Sequence, residues 1–172
     1  MMTLNEGTIY LYTYKDGLLS RLGHDLRLSV ARFEFTVDEL KVKARFWPDS
    51  IKVDGVMNGE RFDAEGLSAK DKRDVYDHTM KKVLNVRKHP DASLEGAVEL
   101  DGDKLRFSGS LKLAGKQSNF AIDLRSEESR IRGKVTIAPT KWGIAPFKAL
   151  LGALRIKDIV DIEVDLPDPR SM

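Results

Sequence analysis

Alternation of apolar and polar residues with a period of two recurs along this chain, and no other feature constrains its fold as strongly. Leu105, Phe107, Leu111 and Leu113 alternate with Lys104, Arg106, Ser108, Ser110 and Lys112. Successive side chains of a strand point to opposite faces, so such a segment buries one face and wets the other. Phe120, Ile122 and Leu124 repeat the pattern against Asn119, Asp123 and Arg125. Ile131, Val135 and Ile137 follow, then Val160, Ile162, Val164 and Leu166 with Asp161, Glu163 and Asp165 between them. One dry face per strand is what an antiparallel barrel or sandwich requires.

The connections read as hairpins. Asp101-Gly102 joins the strand around 94–100 to the one starting at Lys104, and Asp-Gly is among the strongest short-range hairpin signals. Ala114-Gly115-Lys116 makes the next turn and 126–129 the one after, so 94–137 predicts a four-stranded meander. Tyr10 and Tyr14 lie in a further strand, and others run around 42–46 and 51–57. In 24–37 the apolar register runs Leu26, Leu28, Val30 and then shifts to Phe33, Phe35, Val37. A one-residue shift turns side chains to the other face, which predicts a bulge at Ala31-Arg32 of the kind that helps a sheet close on itself. A two-sheet sandwich has the same alternation; the bulge favours a barrel.

One helix is expected, over 68–84. Ser68 is a good N-cap and Asp71 sits in the first turn near the positive end of the dipole. Val75, Thr79, Met80 and Val83 share a face, and Asp77 and Lys81 are spaced for an i,i+4 ion pair. At 172 residues with no repeat, linker or break in composition, the chain reads as one domain spanning 1–172.

Composition removes several function classes. The 29 Lys and Arg against 27 Asp and Glu leave a net charge of +2, too little to argue for nucleic acid. The basic residues between Lys70 and Lys88 are interrupted by Asp71, Asp74 and Asp77 and carry no aromatic ladder, so they read as a solvated face. There is no cysteine, hence no thiolate nucleophile and no Cys-ligated metal. His24, His78 and His89 lack metal-site spacing. His24 and Asp25 are neighbours in a strand and face opposite ways; Ser20 is the only hydroxyl nearby, and no G-x-S-x-G elbow is present. No catalytic residue, metal or cofactor is therefore expected, and the three histidines read as structural. The N-terminal residues have no basic stretch followed by an apolar core, which predicts a cytoplasmic protein.

Residues 142–156 are the most apolar stretch outside the strands. Ile144, Phe147, Leu150, Leu151 and Leu154 fall near helical spacing after Pro146, with Lys148, Arg155 and Lys157 as the charges. A short apolar helix before the last strand is expected, serving as a plug, a lid or a transient membrane contact.

Four stretches carry a family resemblance. RLGHDLRL at 21–28 resembles the His-containing second-strand motif of the YceI-like family. DVYDHTMKKVLNVRKHPDASLEG at 74–96 resembles its helix and K-x-P stretch, and FSGSLKLAGKQSNFAIDL at 107–124 its G-x-L-T-L-H-G hairpin and partner strand. TKWGIAPFKALLGALRIKDIVDIEVDL occupies the place of its Phe-Gly-Ile motif and final strand. Gly115-Lys116 replaces the family's usual Leu-His-Gly ending, and the apolar insertion after Trp142 is longer. The resemblance implies an extended antiparallel barrel of lipocalin type and an apolar ligand, since some members hold polyisoprenoid chains inside. It adds the expectation of a homodimer and supplies no catalytic residues.

Taken together, the expectation is an all-β, lipocalin-like barrel of about eight strands, near the size at which an interior either fills or holds a small ligand. The ligand-binding set read from the inward faces and the mouth is Leu26, Leu28, Phe107, Gly109, Leu111, Phe120, Ile122, Gly133, Val135, Trp142, Phe147 and Leu151. Gly109 and Gly133 are expected to leave room inside, whereas Phe107 and Phe120 take it up. The leading function is non-enzymatic binding, transport or sequestration of an isoprenoid or other long apolar chain. A fully packed scaffold or interaction barrel is the second reading, and a hydrolase or isomerase using His24 the third.

Overall fold

A computed structural model describes residues 1–17 and 23–172; Ser20 and the first two residues of RLGHDLRL lie outside them. Among the described residues the strands are β1 (Met2–Leu4), β2 (Thr8–Asp16), β3 (Asp25–Val30), β4 (Phe33–Asp38), β5 (Lys41–Phe46), β6 (Ile51–Asn58) and β7 (Arg61–Asp63). The helix α1 (Ala69–His78) follows, then β8 (Ala92–Asp101), β9 (Lys104–Leu113), β10 (Lys116–Glu127), β11 (Arg130–Ile137), β12 (Lys148–Ala149) and β13 (Leu154–Pro167).

All thirteen strands belong to one sheet in the order β1-β4-β5-β8-β9-β10-β11-β13-β2-β3-β6-β7, with β12 on β13, so the two-sheet alternative falls away. Every pairing is antiparallel. The sheet curls because β3 and β4, near opposite ends of the order, are two halves of the continuous segment 25–38.

The bend between them falls at Ala31-Arg32, where the register shift predicted it. A second bend at Trp47–Ser50, between β5 and β6, meets it. Ala31 N–H donates to Ser50 O at 3.2 Å, Trp47 N–H donates to Arg32 O at 3.2 Å, and Ser50 Oγ accepts from Arg32 N–H at 2.9 Å. The Arg32 guanidinium lies 3.9 Å from the Trp47 ring centroid, a cation–π contact that closes the corner.

The expected strand number needs correcting. Among the described residues there are thirteen strands rather than about eight, because β1 precedes the strand read around Tyr10 to Tyr14, 25–38 is cut in two, and the short β7 and β12 add two more. The meander from β8 to β11 forms as read. Its turns differ in detail. Asp101 pairs with Lys104, so the first tip is Gly102-Asp103, with Gly102 at φ 62°. Ala114 and Gly115 are both left-handed in the second tip (φ 49° and 80°), and Glu128 and Ser129 in the third (φ 51° and 64°), the geometry that matches the strands' right-handed twist.

Ser68 caps α1, its hydroxyl accepting from Asp71 N–H at 3.0 Å. The i,i+4 ion pair is Lys70 with Asp74 at 2.8 Å rather than Asp77 with Lys81. The α-helix is also shorter than expected: it ends at His78, a wider turn covers Thr79–Val83, and Asn85 at φ 47° stops it. Val75, Met80 and Leu84 pack on Leu26, Leu28 and Val56, which seats the helix against the sheet interior.

The apolar stretch 142–156 is not a helix. A short 3-10 turn, Pro139–Trp142, ends at Gly143 (φ 71°); β12 then pairs with β13, Lys148 to Arg155 and Ala149 to Leu154. Leu151 (φ 57°) and Gly152 (φ 88°) form the hairpin tip. Pro146 has no N–H for a helical ladder and biases Ala145 toward extended backbone, so the helical spacing of the leucines is overridden.

Candidate functional site

The curled sheet turns one face of every long strand toward a common interior. On β2 the inward register is Ile9, Leu11, Thr13 and Lys15; on β3 it is Leu26, Leu28 and Val30. These faces enclose a cavity of about 910 Å³ whose walls are almost entirely aliphatic and aromatic. It runs lengthwise. Met1, Leu40 and Leu100 border one end, and His24, Lys15 and Phe147 the other.

Seven of the twelve residues expected to bind ligand line this cavity: Leu26, Leu28, Phe107, Leu111, Phe120, Ile122 and Phe147. Five do not. Trp142 is only 2% exposed and its indole N–H donates to Leu111 O at 2.7 Å, so it packs the core. Val135 also packs against that core cluster. Leu151, at the hairpin tip, is fully exposed. Gly109 leaves no room, because a Cβ there would lie 2.1 Å from Glu95 O on the paired strand. A Cβ at Gly133 would lie 2.5 Å from Asp123 O. Both glycines permit backbone to approach backbone, as strand glycines do where a sheet bends sharply.

The polar groups around the cavity divide by end. At the Met1 end Asp168 is buried, and hydrogen bonds from Arg170 (3.0 and 2.8 Å), together with one from Ser126, hold its carboxyl down at about 2. That pair is internally neutral. At the other end Lys15, His24, His78 and Lys157 line the interior, with His78 at the end of α1 edge-to-face on Phe147. The Asp25 carboxylate accepts Lys15 N–H at 2.8 Å, so it serves the β2 to β3 ladder and makes no pair with His24. His89 stands over the β9 to β10 turn, its ring 2.5 Å from where a Gly115 Cβ would be. Among the described residues no group of three His, Asp or Glu is placed to hold a metal ion.

Outside the cavity, Tyr12 donates to Glu163 at 3.2 Å and Tyr14 to Asp161, tying β2 to β13. Burial and the Glu163 carboxylate push the Tyr12 phenol up to about 12, and burial and Asp161 push Tyr14 up as well. Arg27 stacks between Tyr10 and Phe62 at 4.1 and 3.7 Å. These contacts brace the wall and leave the interior apolar.

Sequence reading missed Ile9, Leu11 and Lys15 as cavity residues. The signal was present: TIYLYTYK alternates, and the tyrosines drew attention to the outer face.

Several solved structures share this fold. BcnA of Burkholderia cenocepacia superposes with a TM-score of 0.63 at 12% identity, covering 93% of this chain and 94% of that one. A polyisoprenoid binding domain from Saccharophagus degradans, implicated in plant cell wall breakdown, gives 0.62 at 11% identity over 95% of each chain. The Campylobacter jejuni YCEI protein gives 0.55 at 11% identity, over 80% of this chain and 81% of that one. At such identities the likeness establishes fold alone. No curated protein matches the chain by sequence. The model of the YceI-like domain matches residues 22–167, most of the chain, and the protein therefore belongs to the YceI-like domain family.

Proposed function

We propose that the protein encloses a long apolar ligand, an isoprenoid or other lipid chain, and acts by binding, carrying or sequestering it without chemical conversion. The apolar cavity of about 910 Å³ carries this reading. That volume lies toward the upper end of small-molecule sites, roughly 300 to 1,000 Å³. A chain of about 15 carbons gains on the order of 12 kcal/mol at about 0.8 kcal/mol per buried CH₂. Association costs about 4 to 15 kcal/mol, so short apolar molecules bind weakly and long ones firmly. The Saccharophagus degradans relative, described as a polyisoprenoid binding domain, supports the same class of ligand.

Mass spectrometry of an organic extract of the purified protein tests the proposal. A co-purifying prenyl or acyl chain at near-stoichiometric amount is expected. An extract without lipid, from protein that also takes up no fluorescent prenyl or fatty-acid probe, returns the account to a scaffold barrel without a ligand.

A further inference from the structure

Leu151, at the tip of the β12–β13 hairpin, is fully exposed and forms no part of the cavity lining. At φ 57° it also holds the left-handed backbone that Gly152 beside it (φ 88°) adopts freely and leucine rarely does. Asparagine or glycine would suit this turn better and a polar side chain would suit water better, so neither backbone nor solvent accounts for a leucine here. The stem below it is cationic. Lys148 and Arg155 are register partners, and like charges directly opposite one another weaken a strand pair. Arg155 has Asp16 at 3.4 Å, whereas Lys148 has no ion-pair partner among the described residues. An apolar tip on a basic stem is poorly matched to water and well matched to the interface of an anionic bilayer.

The surroundings of the hairpin share its charge. The connections at this end of the molecule are 79–90, the β9–β10 turn and 138–157, and none of them contains an Asp or Glu. The first has Lys81, Lys82, Arg87 and Lys88, all exposed; the turn leads into Lys116; the last has Lys141, Lys148, Arg155 and Lys157. They adjoin one another. The Lys116 side chain lies 3.7 Å from where a Gly143 Cβ would be, His89 stands over Gly115, and Lys141 Nζ donates to Asn119 O at 2.8 Å. Of the acids flanking these connections, Asp91 is held by Arg45 at 2.8 Å and Asp158 by Thr140 N–H at 3.0 Å, which leaves Asp77 on α1. The opposite end is acidic. The β4–β5, β8–β9 and β10–β11 tips carry Asp38, Glu39, Asp101, Asp103, Glu127 and Glu128 against Lys41, Lys104 and Arg130. Charge separated along the molecule in this way turns the basic end toward an anionic surface.

We propose that this end of the molecule docks on a bilayer rich in anionic phospholipids, with Leu151 entering the interface and the surrounding Lys and Arg side chains on the lipid phosphates. The docking surface lies outside the cavity and stands whatever the interior holds. Attraction of a basic surface to anionic lipid and burial of an apolar side chain add together, and each alone is weak, so attachment is reversible. It is also salt-sensitive, because exposed charges are screened beyond about 10 Å at roughly 0.1 M salt.

Co-sedimentation of the full chain with vesicles tests this. Vesicles of equal parts phosphatidylglycerol and phosphatidylcholine are expected to bind it about tenfold or more tightly than phosphatidylcholine alone, and rising salt narrows the difference. Leu151→Asn keeps the left-handed turn while removing the apolar side chain, and it lowers binding several-fold. Lys141→Gln/Lys148→Gln does the same, whereas Lys41→Gln/Lys104→Gln, at the acidic end, does not. The chain has no cysteine, so Leu151→Cys carries a single environment-sensitive dye. That dye brightens on anionic vesicles, and the same dye at Leu40→Cys does not. Equal binding to both kinds of vesicle overturns the proposal. So does a Leu151 dye that stays in water, or Leu151→Asn binding like wild type: the face is then a site for a soluble polyanion, which heparin binding of equal strength identifies. Melting temperatures of the variants separate lost docking from lost fold. Prenol uptake in vesicle-free solution reads the cavity independently of either result.

Discussion

His78 and Phe147 meet edge to face with ring centroids 4.4 Å apart, joining the end of α1 to the loop before β12 across the Lys15 end of the cavity. Both side chains also line that cavity. The contact therefore borders this end of the interior. Phe147→Ala is expected to speed release of a bound prenyl probe several-fold in stopped-flow displacement. Because Phe147 is half-buried, the stability cost should be about 1 to 2 kcal/mol, below the 3 to 5 kcal/mol of a fully buried Phe. Unchanged release kinetics with a large fall in melting temperature would make the contact structural only.

Gly109 and Gly133 behave oppositely to the simplest reading of a small residue on an inward register. Gly109→Ala places its Cβ against Glu95 O and is expected to cost at least about 2 kcal/mol, the scale of overpacking a filled site. Gly133→Leu is expected to disrupt the β10 to β11 ladder before it reduces any cavity volume. Urea denaturation reads both; a Gly109→Ala variant as stable as wild type contradicts the close approach of β8 and β9.

How far residues announced this geometry depends on how local the cause was. The alternation in Lys104–Leu113 is written in ten residues, and the observed β9 matches it. The slip at Ala31-Arg32 was equally legible, since Val30 and Phe33 break a period of two. The Gly96 to Gly109 approach was not, because it depends on which strand lies beside β9 and how sharply the sheet bends there. Residues 144–151 misled for a related reason: helical spacing of apolar groups is a local signal, and pairing of β12 with β13 overrode it. Six cavity residues could be read from strand alternation, and the same alternation in TIYLYTYK marks Lys15, whereas its neighbours across the sheet depend on β2 being flanked by β13 and β3.

The β10 to β11 turn uses two left-handed residues, Glu128 and Ser129, with no glycine. Replacing them by Asn-Gly, the pair favoured at such turns, is expected to raise stability by about 1 kcal/mol. Thermal or chemical unfolding checks it. A destabilised variant would show that the Glu128 or Ser129 side chain makes a contribution larger than the backbone strain.

Asp168 gives a pH dependence with a defined sign. Its hydrogen bonds from Arg170 and Ser126 hold the folded carboxyl at about 2, below the ordinary 3.8. A lowered folded value stabilises the native state above the ordinary value, and that stabilisation is lost as pH falls through the window from 3.8 toward 2. The difference corresponds to about 2 kcal/mol at 1.36 kcal/mol per unit. Asp168→Asn should therefore lose about this much at neutral pH, and its deficit should close below about pH 4. A deficit constant from pH 7 to pH 2 would assign the loss to packing rather than to the charge.

The most direct test of the cavity as a ligand site is a titration of delipidated protein with prenols of increasing length, followed by competition with a fluorescent prenyl probe. Saturable binding at one site is predicted, with affinity rising at each added isoprene unit until the interior is filled and levelling off beyond it. Absence of saturable binding at every length, or affinity indifferent to length, would contradict the claim that the apolar interior holds a chain.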